Sequence, residues 1–229
     1  MSSFSVIIPA LNEKNNIYKL IPKIYDVVQK SSHNFEVIFI IGKDETIITN
    51  NNHINLFFIN RDKQDFSSTL LQGINFSQYE FIITMDSDGS HNFQEIDKYL
   101  DYFINKDLDI LLFSRYLNSS KNNESIINVL LSKLLNKILN VCSDLKLTDY
   151  TNNLRIFKKS LLSNSPYISR HFEFLYEFLI LAKKDFPQLT IEEVPTVHLK
   201  RKLGRSKKHH IYYLFNFFQL ILRIRISKL

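Results

Sequence analysis

The chain has 229 residues, 45% hydrophobic and 13% aromatic, which is material for one sizeable core and, at roughly 100–200 residues per domain, suggests a single domain. Its one cysteine, Cys142, excludes an internal disulfide and so argues against a small disulfide-stapled secreted fold. Net charge is +6, but residues 1–193 carry 20 basic against 23 acidic groups, a balance of −3, and no acid follows Glu193. A basic block confined to one end suits phosphates or an anionic surface. It argues against nucleic acid, whose binders usually spread such charge over a folded face.

In chain order, MSSFSVIIPA lacks the basic and long apolar regions of a secretory signal, so a cytosolic location is expected. Phe4 to Pro9 reads as a strand, and Asn12 to Lys30 as a helix with apolar residues at Ile17, Leu20, Ile21, Ile24, Val27 and Val28. Phe35 to Ile41 and Asn55 to Ile59 read as buried strands, and Ser67 to Phe76 as a short helix. A strand then leads to Asp86, followed by a helix from Asn92 to Asn105 and a strand from Asp109 to Ser114. Strands alternating with helices predict an α/β domain, with a mainly parallel sheet and helices on both faces.

The second half predicts a helix from Ser125 to Val141 with Ile126, Leu130, Leu134 and Ile138 on one stripe. A short strand at Asn153 to Phe157, a helix from Phe172 to Lys184 and a strand from Leu189 to Val197 follow. The asparagine-rich patches Asn50 to Asn55 and Asn118 to Asn123 read as surface loops, the second as a mobile flap.

The chemistry concentrates at Glu80 to His91, EFIITMDSDGSH, where an apolar run ends directly in Asp86 and Asp88. Ligands of open α/β sheets collect at the carboxyl ends of strands, and two hard oxygen ligands there suit Mg²⁺ or Mn²⁺ bridging to a substrate's phosphates. A solvated turn capping the next helix is the plainer alternative. Arg115 leaves the strand at Asp109 to Phe113 on the same predicted edge, while Arg201 to Lys207 joins a glycine to cations and a hydroxyl, a phosphate clamp by composition.

Five ordered motifs resemble one known family. VIIPALNE at Val6 to Glu13 is similar to its VVxPTYNE, MDSDGSH at Met85 to His91 to MDADLSH, and SRY at Ser114 to Tyr116 to GSRY. DYTNNLRIFKKSLL at Asp149 to Leu162 is similar to DLTGSFRLYRKEVL, and EVPTVHLKRKLGRSK at Glu193 to Lys207 to EVPxxFxxRxxGxSK. The chain thus resembles the family 2 glycosyltransferases of GT-A fold, and within them the dolichyl- or polyprenyl-phosphate mannose synthases. The resemblance implies a Rossmann-like GT-A domain over residues 1–208 and an amphipathic helix over 209–229. It implies a nucleoside diphosphate sugar donor, GDP-mannose or UDP-glucose, and a polyprenyl or dolichyl phosphate acceptor.

Roles then follow by position. Pro9, Leu11 and Glu13 would line the nucleotide pocket, Asp86 and Asp88 would bind the metal with Ser90 beside it, and Ser87 would touch the donor. Arg115 would face the donor's diphosphate and sugar, and Arg201 and Lys207 would grip phosphate; Asp88, Arg115 and Arg201 form the expected catalytic set. A phosphate monoester has its second pKa near ~6, so it attacks without a protein base, and one in-line displacement inverts the sugar carbon. A non-lipid acceptor would need a base, for which Asp149 is the nominee. Asp149 is alternatively expected to orient Arg155. An inactive membrane-bound scaffold of the same fold stays open as a third reading.

Three features depart from the family pattern. Ile40-Ile41-Gly42-Lys43-Asp44 replaces Val-Asp-Asp-Gly-Ser, leaving Asp44 or Glu45 to substitute, Asn152 stands where the family has glycine, and Asp65-Phe66-Ser67-Ser68 replaces the glycine-rich turn before Gly73. At the other end, Ile211 to Leu222 offers twelve residues before Arg223, short of the ~20 that cross a bilayer. That helix is expected either in the interface of an anionic cytoplasmic leaflet or packed on the sheet.

Overall fold

The computed structural model describes residues 1–43, 45–47, 55–63, 65–162, 166–199 and 210–226. Its strands are β1 (Ser3–Ala10), β2 (Asn34–Ile41), β3 (Asn55–Asn60), β4 (Phe81–Thr84), β5 (Ile110–Ser114), β6 (Lys121–Asn122), β7 (Arg155–Lys158), β8 (Ile191–Pro195) and β9 (Val197–His198). Its helices are α1 (Lys14–Lys30), α2 (Phe66–Phe76), α3 (Phe93–Asn105), α4 (Ile126–Val141), α5 (Phe174–Asp185) and α6 (His210–Ile226).

Seven strands form one sheet in the order β3-β2-β1-β4-β7-β5-β8. All pairings are parallel except those of β7, which runs antiparallel to both neighbours. Because β1 pairs β2 on one side and β4 on the other, the order reverses at β1, and the crevice between the ends of β1 and β4 is the switch point where such sheets bind ligands.

Unbroken apolar runs suit strands covered on both faces, and Phe4, Val6, Ile7 and Ile8 of β1 are fully buried. Val6, Ile8, Val37 and Phe39 pack with α1 and α3. Ile7, Ile38 and Ile40 pack on the other face with α2, α4, α5 and α6. The expected α/β sheet with helices on both faces is the observed one.

Several boundaries differ for local reasons. α1 begins at Lys14, not Asn12, because Asn12 has φ +57°, a left-handed conformation that asparagine tolerates but a helix does not. The expected flap at Asn118 to Asn123 is held: β6 pairs with β9, and Lys121 and Asn123 donate to the carbonyls of Thr196 and His198, both at 3.1 Å. The other asparagine patch lies mostly outside the described residues.

The stripe Ile126, Leu130, Leu134 and Ile138 of α4 faces outward, each 44–79% exposed, because this helix docks through Leu135, Asn136 and Leu139 instead. α6 divides in the same way. Phe217, Leu220 and Ile221 join the core, while Leu214, Phe215, Phe218 and Leu222 are exposed. Among the described residues no helix is long and apolar enough to cross a membrane.

Candidate functional site

Asp86 and Asp88 stand just past β4 on a turn that Gly89 makes possible at φ +78°. The turn is tied to its surroundings at each residue. The Asp86 N–H donates to His91 Nδ1 at 3.0 Å, and Asn153 Nδ2 donates to Asp86 Oδ1 at 2.9 Å. Ser87 Oγ donates to the Pro9 carbonyl at 3.0 Å, joining the ends of β4 and β1 across the switch point. The Ser90 N–H donates to Asp88 Oδ1 at 3.0 Å, and the Ser90 carbonyl accepts from Leu199 N–H at 2.8 Å.

Behind the carboxylates lies His91, buried, with its pKa lowered by that burial. Its Nδ1 accepts from Asp86 N–H, so a neutral ring carries its proton on Nε2, which faces Asn152 Oδ1 at 3.0 Å. Asn152 Nδ2 in turn donates to the Phe113 carbonyl at the end of β5. Both ring nitrogens are thus engaged inward, and His91 braces the turn without acting as a metal ligand. Asn152, the departure from a family glycine, is the link that makes this brace.

Among the described residues no group of three or more His, Cys, Asp or Glu is gathered for a metal. Two carboxylates alone do not cage a divalent ion, but they match the pattern of Mg²⁺-type sites that keep waters and substrate phosphates as the remaining ligands. The Asp86 side chain keeps 28% of its surface open, as such a site requires.

Arg115 is engaged differently from the expectation. Its guanidinium lies on Asp149, Nε to Oδ2 at 2.7 Å and Nη2 to Oδ1 at 2.9 Å, with Thr151 Oγ1 at 2.8 Å. The side chains are 9% and 0% exposed, so Arg115 secures the segment entering β7 instead of reaching outward. Burial pushes the Asp149 carboxyl up, but Arg115 and the N–H groups of Arg115 and Thr151 outweigh it and hold it below the usual carboxylate value. A carboxylate so held is a poor proton acceptor.

Asp149 therefore pairs with Arg115 and not with Arg155. Arg155, with a pKa lowered to about 10 by burial, donates to the carbonyls of Leu175, Tyr150 and Asn152. Glu193, raised by burial, accepts from the N–H groups of Thr148 and Asp149, completing the support of this segment.

Pro9 and Leu11 are half-buried at the end of β1, and Glu13 stands at the N-cap of α1, where its side chain accepts from Asn16. Ser90 is 3% exposed and bonded through its backbone. After β2, Glu45 folds back so that Oε2 accepts from Gly42 N–H at 2.6 Å, which engages one of the two carboxylates nominated to replace the missing acidic pair. Asp44, Arg201 and Lys207 lie outside the described residues. The fold brings Asp86, Ser87, Asp88 and Ser90 to the end of β1, with Arg115 on the same edge. His91, Asn152 and Asn153 were missed by sequence reasoning; the adjacent amides immediately before a strand were the available signal.

Known proteins agree with this architecture. The model of glycosyl transferase family 2 matches residues 5–165. A UDP-N-acetylglucosamine–dolichyl-phosphate N-acetylglucosaminyltransferase of Methanococcus voltae is 26% identical over 152 residues, 65% of this chain, and the match spans 60% of that relative's length. Glucosyl-3-phosphoglycerate synthase of Mycobacterium tuberculosis, solved with Mn²⁺, UDP and phosphoglyceric acid, superposes with a TM-score of 0.66 at 14% identity, over 99% of this chain and 78% of that one. A second structure of that enzyme, with Mg²⁺ and UDP, gives 0.62 at 14% identity, over 99% and 79%. At such identities these likenesses show the fold alone.

Proposed function

The chain belongs to glycosyl transferase family 2, and from that premise we propose that it moves a sugar from a nucleoside diphosphate sugar to the phosphate of a polyprenyl lipid, with inversion. The observation that carries this reading is the braced Asp86–Asp88 turn at the β1/β4 switch point. Asp86 and Asp88 would hold Mg²⁺ or Mn²⁺, which when bound neutralises charge developing on the departing diphosphate. Asn153 fixes the direction of the Asp86 carboxylate, His91 holds the Asp86 backbone, and Ser87 ties the turn to the strand beside which the nucleotide would lie.

The state of Asp149 supports a phosphate acceptor. Buried, paired and lowered in pKa, it does not suit the base that a hydroxyl acceptor needs, whereas a phosphate monoester needs none. The Methanococcus voltae relative is named for dolichyl phosphate and a UDP sugar, which favours a uridine donor over the GDP-mannose that the motifs suggested. Attachment would be peripheral. The exposed faces of α4 and α6 are apolar, α4 adds exposed Lys133 and Lys137 and no acid, and both suit an anionic leaflet.

Radiolabelled UDP-N-acetylglucosamine, UDP-glucose and GDP-mannose, each offered with dolichyl phosphate with and without Mn²⁺, test the reading. Label in the lipid that requires Mn²⁺ and disappears in Asp88→Ala is expected. Transfer that survives in Asp88→Ala, or label only in a sugar acceptor, would overturn it.

A further inference from the structure

Past β8 the chain turns back over the working edge as a strap. Residues Thr196–Leu199 run from β8, the last strand of the sheet, past the end of β5 to the turn after β4. The Thr196 N–H donates to the Ser114 carbonyl at the end of β5 at 3.2 Å, β9 pairs with β6, and the Leu199 N–H donates to the Ser90 carbonyl at 2.8 Å. The His198 ring also meets His91 edge-on, with centroids 5.7 Å apart. The strap therefore touches the turn that carries Asp86 and Asp88 at two places.

One carboxylate places the strap. Glu95 is the third residue of α3 after its cap Asn92, where a capping box would send the side chain back to the cap's own N–H. Its Oε2 instead accepts from Thr196 Oγ1 at 2.9 Å and from the Val197 N–H at 3.1 Å. Bonds to an ionised acceptor are roughly twice as strong as neutral ones, and two donors on consecutive residues set both the place and the direction of the segment. What the strap holds is the turn. A Cβ on Gly89 would meet nothing within 4 Å, so packing does not confine the turn there and its hydrogen bonds must. Leu199 holds the Ser90 carbonyl, and the N–H of the same residue donates to Asp88 Oδ1 at 3.0 Å. Fixing Ser90 thus aims Asp88.

We propose that Glu95 is a positioning residue for donor binding: it sets the strap, and through Leu199 and Ser90 the strap aims the Asp88 carboxylate. Its effect on the donor rests on the metal role proposed above for Asp88. Partners that orient a metal ligand commonly cost about 10–100-fold in metal affinity when removed, although they touch neither metal nor substrate. Glu95 has a plainer use as an acid in the first turn of a helix, where it favours α3 alone. That use needs neither Thr196 nor Val197, so experiment separates the two.

Amide hydrogen exchange of the full chain, followed by NMR in the parent, Glu95→Ala and Glu95→Gln, tests the link directly. In Glu95→Ala the N–H groups of Val197, Leu199 and Ser90 should exchange roughly tenfold faster, while those of β1 keep the parent's rates. Glu95→Gln, whose amide oxygen can still accept both bonds, should recover most of the protection. Calorimetric titration with UDP, with and without Mn²⁺, reads the consequence. Glu95→Ala should weaken Mn²⁺-dependent binding roughly tenfold and leave metal-free binding unchanged, and Glu95→Gln should restore most of the loss. Thr196→Val, which removes one of the two bonds, should fall between. Unchanged exchange at Ser90, or equal losses with and without Mn²⁺, would make Glu95 a structural residue only and overturn the proposal. UDP binding in the parent that ignores Mn²⁺ would instead overturn the metal reading itself, and the donor role of Glu95 with it, whatever the exchange rates show.

Discussion

Asp149 is fully buried yet held in its charged form, because Arg115 meets both of its oxygens. Removing one partner of such a pair strands the other, so Asp149→Asn should lose about 3–5 kcal/mol in urea unfolding. The folded pKa lies below the unfolded value of ~3.9, so the pair's stabilisation is complete above that pH and fades as pH falls through the folded value. Unfolding midpoints from pH 7 to 3 should show the parent beginning to lose this increment below pH ~4, by about 1 kcal/mol at pH 3, while Asp149→Asn does not; parallel loss in both would refute it. On the proposed metal role of Asp86, Asn153→Ala should weaken Mn²⁺-dependent UDP binding about tenfold with a smaller effect on thermal unfolding. The place of Asp86 and Asp88 was legible because they end an apolar strand. Asp149 was named from the sequence, but its pairing with Arg115 and that of Asn153 with Asp86 were not legible, since those partners lie 34 and 67 residues away and no local pattern encodes them.

At the scale of elements, periodicity identified every long helix but not which face is covered. The stripes of α1 and α4 look alike in sequence, yet Ile17, Leu20 and Ile24 are buried while Ile126, Leu130 and Leu134 are exposed. The difference lies in what packs alongside, which is a property of topology. Changing the α4 stripe should therefore leave folding intact: Leu130→Glu with Leu134→Glu should alter stability by less than about 1 kcal/mol but reduce flotation on anionic vesicles several-fold. α2 makes the opposite case. A Cβ on Gly73 would stand 2.6 Å from Ile7 Cγ2 and Ile40 Cδ1, so α2 approaches the sheet as only glycine allows. Gly73→Ala should cost about 1–3 kcal/mol, read as a several-degree fall in melting temperature. The β6–β9 pairing escaped sequence reasoning because two-residue strands carry no period.

For the whole molecule, alternation of strands and helices was enough to predict the α/β architecture, and five ordered motifs pointed to the family whose model covers residues 5–165. Alternation alone did not predict that β7 would be inserted in reverse between β4 and β5. Attraction between a basic chain and an anionic leaflet weakens as the Debye length shrinks, from about 30 Å at 0.01 M to 3 Å at 1 M. Vesicle flotation should accordingly fall with added salt while the apolar contribution of α4 and α6 persists; complete salt insensitivity would remove charge from the account. The reversed strand has a further effect. Every parallel strand offers the working edge an outgoing loop, but β7 offers its entrance, stapled by neighbours on either side. Asn152 and Asn153 thus belong to the chassis, so that outgoing loops other than the one after β4 can change without slackening the Asn153 bond to Asp86.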